Sequence, residues 1–190
     1  MVTGNDRRTL IAVGWMAFAM SGIGFVDAIA KWLGQTLAGV QVVWGYFFGM
    51  LLALTIHVLW SRKSIRRLVT TRRPVMQMVR AACLVSSLSF LFVGLQKLPL
   101  AETTAISFTS PLFIVALAGP FLGEHVSLRR WMAVVVGMSG ALLVVRPGTE
   151  IFQWAAFLPM IGAFFFALFS ICTRKLNGED PLATLFFTFA

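Results

Sequence analysis

The chain has 190 residues, 58% of them hydrophobic and 12% charged, with a formal net charge of +9. That composition excludes a disordered chain and an ordinary soluble domain, where about a quarter of residues are charged. Nucleic-acid binding is excluded as well, because the charges gather in short clusters between long apolar runs and leave no soluble basic surface. This is the pattern of an all-α, polytopic membrane protein embedded in a lipid bilayer.

A polar, basic tail at 1–8 precedes a first apolar span at 10–33. Arg7-Arg8 and the small-x-small triplet Ala28-Ile29-Ala30 are signal-peptide features, but the apolar run is too long for a signal and more spans follow. The second span is 40–60, and the loop at 61–73 carries Arg62, Lys63, Arg66, Arg67, Arg72 and Arg73. A third span at 74–95 leads through a tight turn at Lys97-Leu98 into a fourth at 99–122. Pro99 suits a helix start, where a missing N–H costs nothing, and Glu102 complements the dipole of the first turn. Gly123 can stop this helix and Ser127 can cap the fifth span, 128–145. After a loop at 146–150 come a sixth span, 152–173, and a seventh that starts near Pro181 and has ten residues, 181–190, half of what a span needs. Each of the other spans is long enough to cross a hydrocarbon core of roughly 30 Å at 1.5 Å per residue.

Lys and Arg set the orientation. With the N-terminus in the cytoplasm, the inner side receives Arg7, Arg8, the 61–73 loop, Arg129, Arg130, Arg174 and Lys175, and the outer side only Lys31, Lys97 and Arg146. Arg80, near the start of the third span, can snorkel to the inner side. A faint internal repeat sets Lys31 against Arg174, Asp27 against Ser170, Trp44 against Phe187 and Tyr46 against Phe189. Five helices separate the two starts, and an odd number turns the second copy upside down, as in inverted-repeat transporters.

Asp27 is the carboxylate deepest in any span, and Lys31 follows four residues on. An intramembrane acid points to function, while acid before base at this spacing also suits a local ion pair. The two residues anchor the outer end of the first helix, line a pathway, or do both. Pro111 interrupts the fourth span among Ser107, Thr109 and Ser110, and deprives the Ser107 carbonyl of its helical donor. The favoured reading is a kinked, polar wall of a substrate cavity; the alternative is a structural kink whose hydroxyls bond back onto the helix. Ser86, Ser87 and Ser89 in the third span read as packing positions, as do Ala133, Gly137 and Ala141 in the fifth and Gly14, Ala17, Ser21, Gly22 and Gly24 in the first. Trp15, Trp32, Trp44, Trp60, Trp131 and Trp154 lie where interfacial anchors belong. Cys83 and Cys172 read as small apolar residues, and Glu124 and His125 as a solvated turn. No H-E-x-x-H, Walker or G-x-S-x-G motif occurs, so neither an enzyme activity nor a metal or cofactor is expected. With no nucleotide-binding motif, transport would be driven by gradients or by the substrate itself.

The pieces Ala101-Glu102, Ser110-Pro111-Leu112-Phe113, Phe121-Leu122-Gly123-Glu124, Ser127-Leu128-Arg129-Arg130-Trp131, Gly137-Met138-Ser139-Gly140 and Arg146-Pro147-Gly148, in this order and spacing, resemble the EamA-type repeat of the drug/metabolite transporter superfamily. The resemblance is densest from Ala101 to Gly148 and implies ten helices in two inverted repeats. Residues 1–150 would then be the first repeat, and 151–190 the start of the second. It further implies a secondary transporter of small organic metabolites (amino acids, nucleosides or their derivatives) in a bacterial-type inner membrane, working by alternating access. Members often carry an arginine in the second helix shortly after a tryptophan; here Trp44 is followed by Gly45-Tyr46, which removes whatever that arginine does. The competing expectation, drawn from the short seventh span, is a truncated, non-transporting membrane protein that acts as an assembly partner or needs a dimer or partner chain.

Overall fold

The computed structural model describes residues 4–61, 70–123, 126–145 and 154–189. These form α1 (Gly4–Leu33), α2 (Gly39–Trp60), α3 (Pro74–Lys97), α4 (Leu100–Ser107), α5 (Ser110–Leu122), α6 (Leu128–Val145), a 3-10 turn (Trp154–Ala156), α7 (Phe157–Lys175) and α8 (Pro181–Phe189). Among the described residues there is no strand.

Local chemistry accounts for most of the boundaries. At the start of α2 the Gln41 side chain reaches back to accept the Ala38 N–H at 3.0 Å, occupying a donor the helix leaves orphaned. Proline opens α3, and α4 begins after Pro99, whose carbonyl takes the first helical bond from Thr103 N–H. Gly123, at φ 67°, stops α5 in the left-handed conformation that glycine adopts without strain. The Ser127 carbonyl accepts the Arg130 N–H and starts α6.

Helices α3 and α7 form the centre. α3 also packs on α2, α8, α1 and α4, and α7 also packs on α5 and α4. The central crossing is close. A β-carbon on Gly162 would lie 3.0 Å from the Ser87 carbonyl, and one on Gly94 would lie 3.0 Å from Pro159. The Ser87 hydroxyl donates to the Gly162 carbonyl at 2.8 Å. Small residues thus let two backbones meet where lipid provides no hydrophobic drive.

Large apolar side chains on α1, α2 and α6, among them Trp15, Phe18, Phe25, Trp44, Phe48 and Val136, are exposed. On a soluble protein such a surface would aggregate, but in a bilayer it meets acyl chains. Five stretches among the described residues are long and apolar enough to cross a membrane: Ile11–Leu33, Gly39–Trp60, Pro74–Lys97, Leu100–Leu122 and Trp154–Lys175. The molecule is the all-α, multi-pass membrane protein that its composition indicates.

Two packing expectations come out differently. The glycines of α1 (Gly14, Gly22 and Gly24) have open space where a side chain would go, and so do Gly137 and Gly140 of α6. Ala133, Gly137 and Gly140 line an open apolar groove of about 970 Å³ between α6 and the α4–α5 segment instead of closing onto a neighbour. The side chain of Ala141 lies outside the described residues, as do Arg62, Lys63, Arg66, Arg67, Glu124, His125 and Arg146.

Candidate solute pathway

The fourth span is two helices, not one kinked helix. α4 ends at Ser107, a turn at Phe108 and Thr109 follows, and Ser110 opens α5. The turn is tight: Phe108 N–H reaches the Thr104 carbonyl at 3.2 Å and Thr109 N–H reaches Ile106 at 2.9 Å. Pro111 therefore stands in the first turn of a new helix, where its missing N–H goes unnoticed, and the break precedes it.

The hydroxyls around the break divide. Ser107 Oγ donates to the Thr103 carbonyl at 2.8 Å, as Thr104 and Thr103 donate to the carbonyls of Leu100 and Pro99. These three are bonded back onto the helix. Thr109 differs: it is 8% exposed, and its Oγ1 has no hydrogen-bond partner among the described residues. A buried hydroxyl without a partner costs stability and calls for an explanation. Ser110 is half-buried. Pro111 is exposed and lines the groove shared with α6, which the Ser107, Thr109 and Ser110 side chains do not line. α5 faces α7 as well, with Phe113 and Phe164 meeting edge to face at 5.6 Å.

Asp27 and Lys31 do not form an ion pair. The Lys31 ammonium donates to the carbonyls of Leu95 and, at 2.7 Å, Leu98. These are orphan acceptors at the C-terminal end of α3, where a cation also suits the helix dipole. Asp27 is half-buried, has no hydrogen bond or ion pair among the described residues, and lies within electrostatic reach of Tyr46 on α2. Lys31 thus anchors α1 to α3, while Asp27 is left available. No hydrogen bond among the described residues joins Asp27 or Lys31 to the break at 108–109.

Arg80 does not snorkel. It is 6% exposed, and its Nε donates to Thr173 Oγ1 at 2.7 Å. Its Nη1 donates to the Thr184 carbonyl at 3.2 Å and to the Thr188 hydroxyl, and the guanidinium stacks over Phe169 at 4.5 Å. One turn earlier, Gln77 donates to Thr184 Oγ1 at 3.1 Å. Sequence reasoning missed this cluster. The available signal was the pair of polar residues three apart in an apolar helix, facing threonines that lie about a hundred positions away.

At one end of the molecule, Glu179 accepts from Thr71 Oγ1 at 3.0 Å and from Arg72 N–H at 3.3 Å, and Arg73 reaches the Lys175 carbonyl at 3.2 Å. At the other end, Gln96 donates to the carbonyls of Gly34 and Leu37. Each cluster unites loops that the charge bias assigns to the same side.

The chain matches the EamA-like transporter family over residues 10–146. It is 28% identical over 184 residues to a protein of Rhizobium johnstonii named riboflavin transporter, covering 95% of this chain and 60% of that protein. It is 28% identical over 185 residues to an S-adenosylmethionine uptake transporter of Rickettsia felis, covering 96% of this chain and 62% of that protein. A pseudopaline exporter of Pseudomonas aeruginosa is 25% identical over 166 residues, covering 86% of this chain and 57% of that protein. The chain thus spans about three fifths of the length of these relatives. No solved structure matches it. Sequence, helical architecture and relatives agree: this chain belongs to the EamA-like transporter family, whose members are membrane transporters and not enzymes.

Proposed function

We propose that the chain is the first five-helix repeat, residues 1–150, and the beginning of an inverted second repeat, 151–190, of a secondary transporter for small organic metabolites such as amino acids, nucleosides or their derivatives. It sits in the inner membrane with its N-terminus in the cytoplasm and works by alternating access. The observation that carries this reading is the break at 108–109. It leaves the buried Thr109 hydroxyl unpartnered on a segment packed against α7, the first helix after residue 150. Interrupted helices with unsatisfied polar groups at a repeat interface are how transporters build solute sites within a bilayer. The two loop clusters support the orientation by keeping the basic loop at 70–73 with the loop at 175–179.

The test is flux into proteoliposomes holding the full-length transporter to which this chain belongs, with labelled riboflavin, S-adenosylmethionine, amino acids and nucleosides offered from either side. Saturable flux of at least one solute supports the reading; its absence for all of them counts against it. One feature favours a second reading, a membrane protein that acts by assembly with another chain: the open apolar groove along α6 offers a face for a partner helix. That reading predicts assembly without flux.

A further inference from the structure

We propose that Arg80 and Gln77 form a recognition site for the anionic end of the transported solute, a carboxylate or phosphate that also carries an N–H or O–H donor. This deepens the transport reading and rests on it.

Arg80 lies six residues after Pro74, which opens α3, about 9 Å into the span. Its three acceptors are two hydroxyls and a carbonyl, it stacks on an aromatic face, and the Cys172 thiol lies within electrostatic reach. All are neutral, and no carboxylate among the described residues meets it. They solvate the guanidinium without neutralising it. A cross-link between helices would need no charge, since neutral amides and hydroxyls can bridge helices without desolvating an ion. A guanidinium is, however, the side chain best shaped to take an anionic oxygen pair, and an ionisable group inside a span is a functional candidate by default.

Gln77 is a second, independent observation. It is fully buried. Its amide nitrogen donates to Thr184, but its Oε1 has no partner among the described residues. That atom needs a donor, as Arg80 needs an anion. The two residues are neighbours on α3 and share Thr184 on α8. Every acceptor of Arg80 comes from α7 or α8, so the cluster lies on the seam between the proposed repeats. Movement along that seam would exchange threonine oxygens for those of a solute.

Two matched pairs of probes test this: riboflavin 5′-phosphate with riboflavin, and S-adenosylmethionine with its carboxylate methyl ester. Binding to the purified protein in phospholipid-free detergent, which removes lipid phosphate as the ligand, is read from the shift of thermal unfolding. Flux of the same four is read in proteoliposomes. In at least one pair the member that carries the free phosphate or carboxylate should bind about tenfold tighter or more, and the pair that responds tells phosphate from carboxylate. Arg80→Gln should abolish the preference. Gln77→Glu is nearly isosteric and places a carboxylate beside Arg80, so it should unfold at the same or a higher temperature and yet lose the preference too. Equal binding within both pairs, or a preference that survives in Gln77→Glu, overturns the proposal. If the neutral members still show saturable flux, the transport reading stands without it; if none of the four shows flux, that reading fails for these solutes on its own account.

Discussion

The Ser87 hydroxyl donates to the Gly162 carbonyl at 2.8 Å, and the Ser87 carbonyl lies 3.0 Å from where a β-carbon on Gly162 would stand. One residue pair therefore both bonds the two central helices and sets how closely they approach. Gly162→Val should force α3 and α7 apart and cost about 1–3 kcal/mol, the range for overpacked cores. Ser87→Ala should cost only about 0.5–1.5 kcal/mol. Thermal unfolding of both variants in detergent would show the order; equal effects would mean that the crossing is looser than described.

Lys31→Met should destabilise the protein by about 1.5–3 kcal/mol, because it uncaps the Leu95 and Leu98 carbonyls and the donor is charged. Asp27→Asn should leave stability nearly unchanged, since no partner depends on it. Similar losses from both changes would instead indicate the ion pair that the spacing suggests.

Thr109→Val and Ser107→Ala separate pathway from scaffold. The Thr109 hydroxyl bonds nothing among the described residues, so its removal should keep or raise stability while reducing flux several-fold, the worth of one hydrogen bond to solute. Ser107→Ala should do neither, because that hydroxyl serves only its own helix. Normal flux in Thr109→Val would remove the break from the solute path.

Sidedness is testable with single thiols after Cys83 and Cys172 are replaced by alanine. In right-side-out vesicles, a membrane-impermeant maleimide should label Gln96→Cys and spare Arg72→Cys. Labelling of both would contradict the helix count between them.

Local chemistry was legible. Pro99, Gly123 and Ser127 mark helix ends in the sequence and mark them in the structure, because caps and stops depend on neighbours a few residues away. What depended on distant partners was not. Lys31 finds carbonyls more than sixty positions on, and Arg80 finds threonines near the end of the chain; helical spacing offered Asp27 to the first and the interface to the second. The break at 108–109 fell between these cases. Pro111 announced it, but the tight turn ahead of Pro111 made a fresh helix start out of an expected kink.

The anchoring of α1 has a mechanical consequence. Among its described side chains, the buried and half-buried ones lie between Val26 and Leu33, and those of residues 11–25 are exposed. The helix is thus a lever with its pivot at Lys31. A tilt of roughly 10° about that point would carry Ile11, about 30 Å away along the axis, sideways by roughly 5 Å. Small adjustments where Lys31 grips the end of α3 are thereby magnified at the far end, in the opposite leaflet.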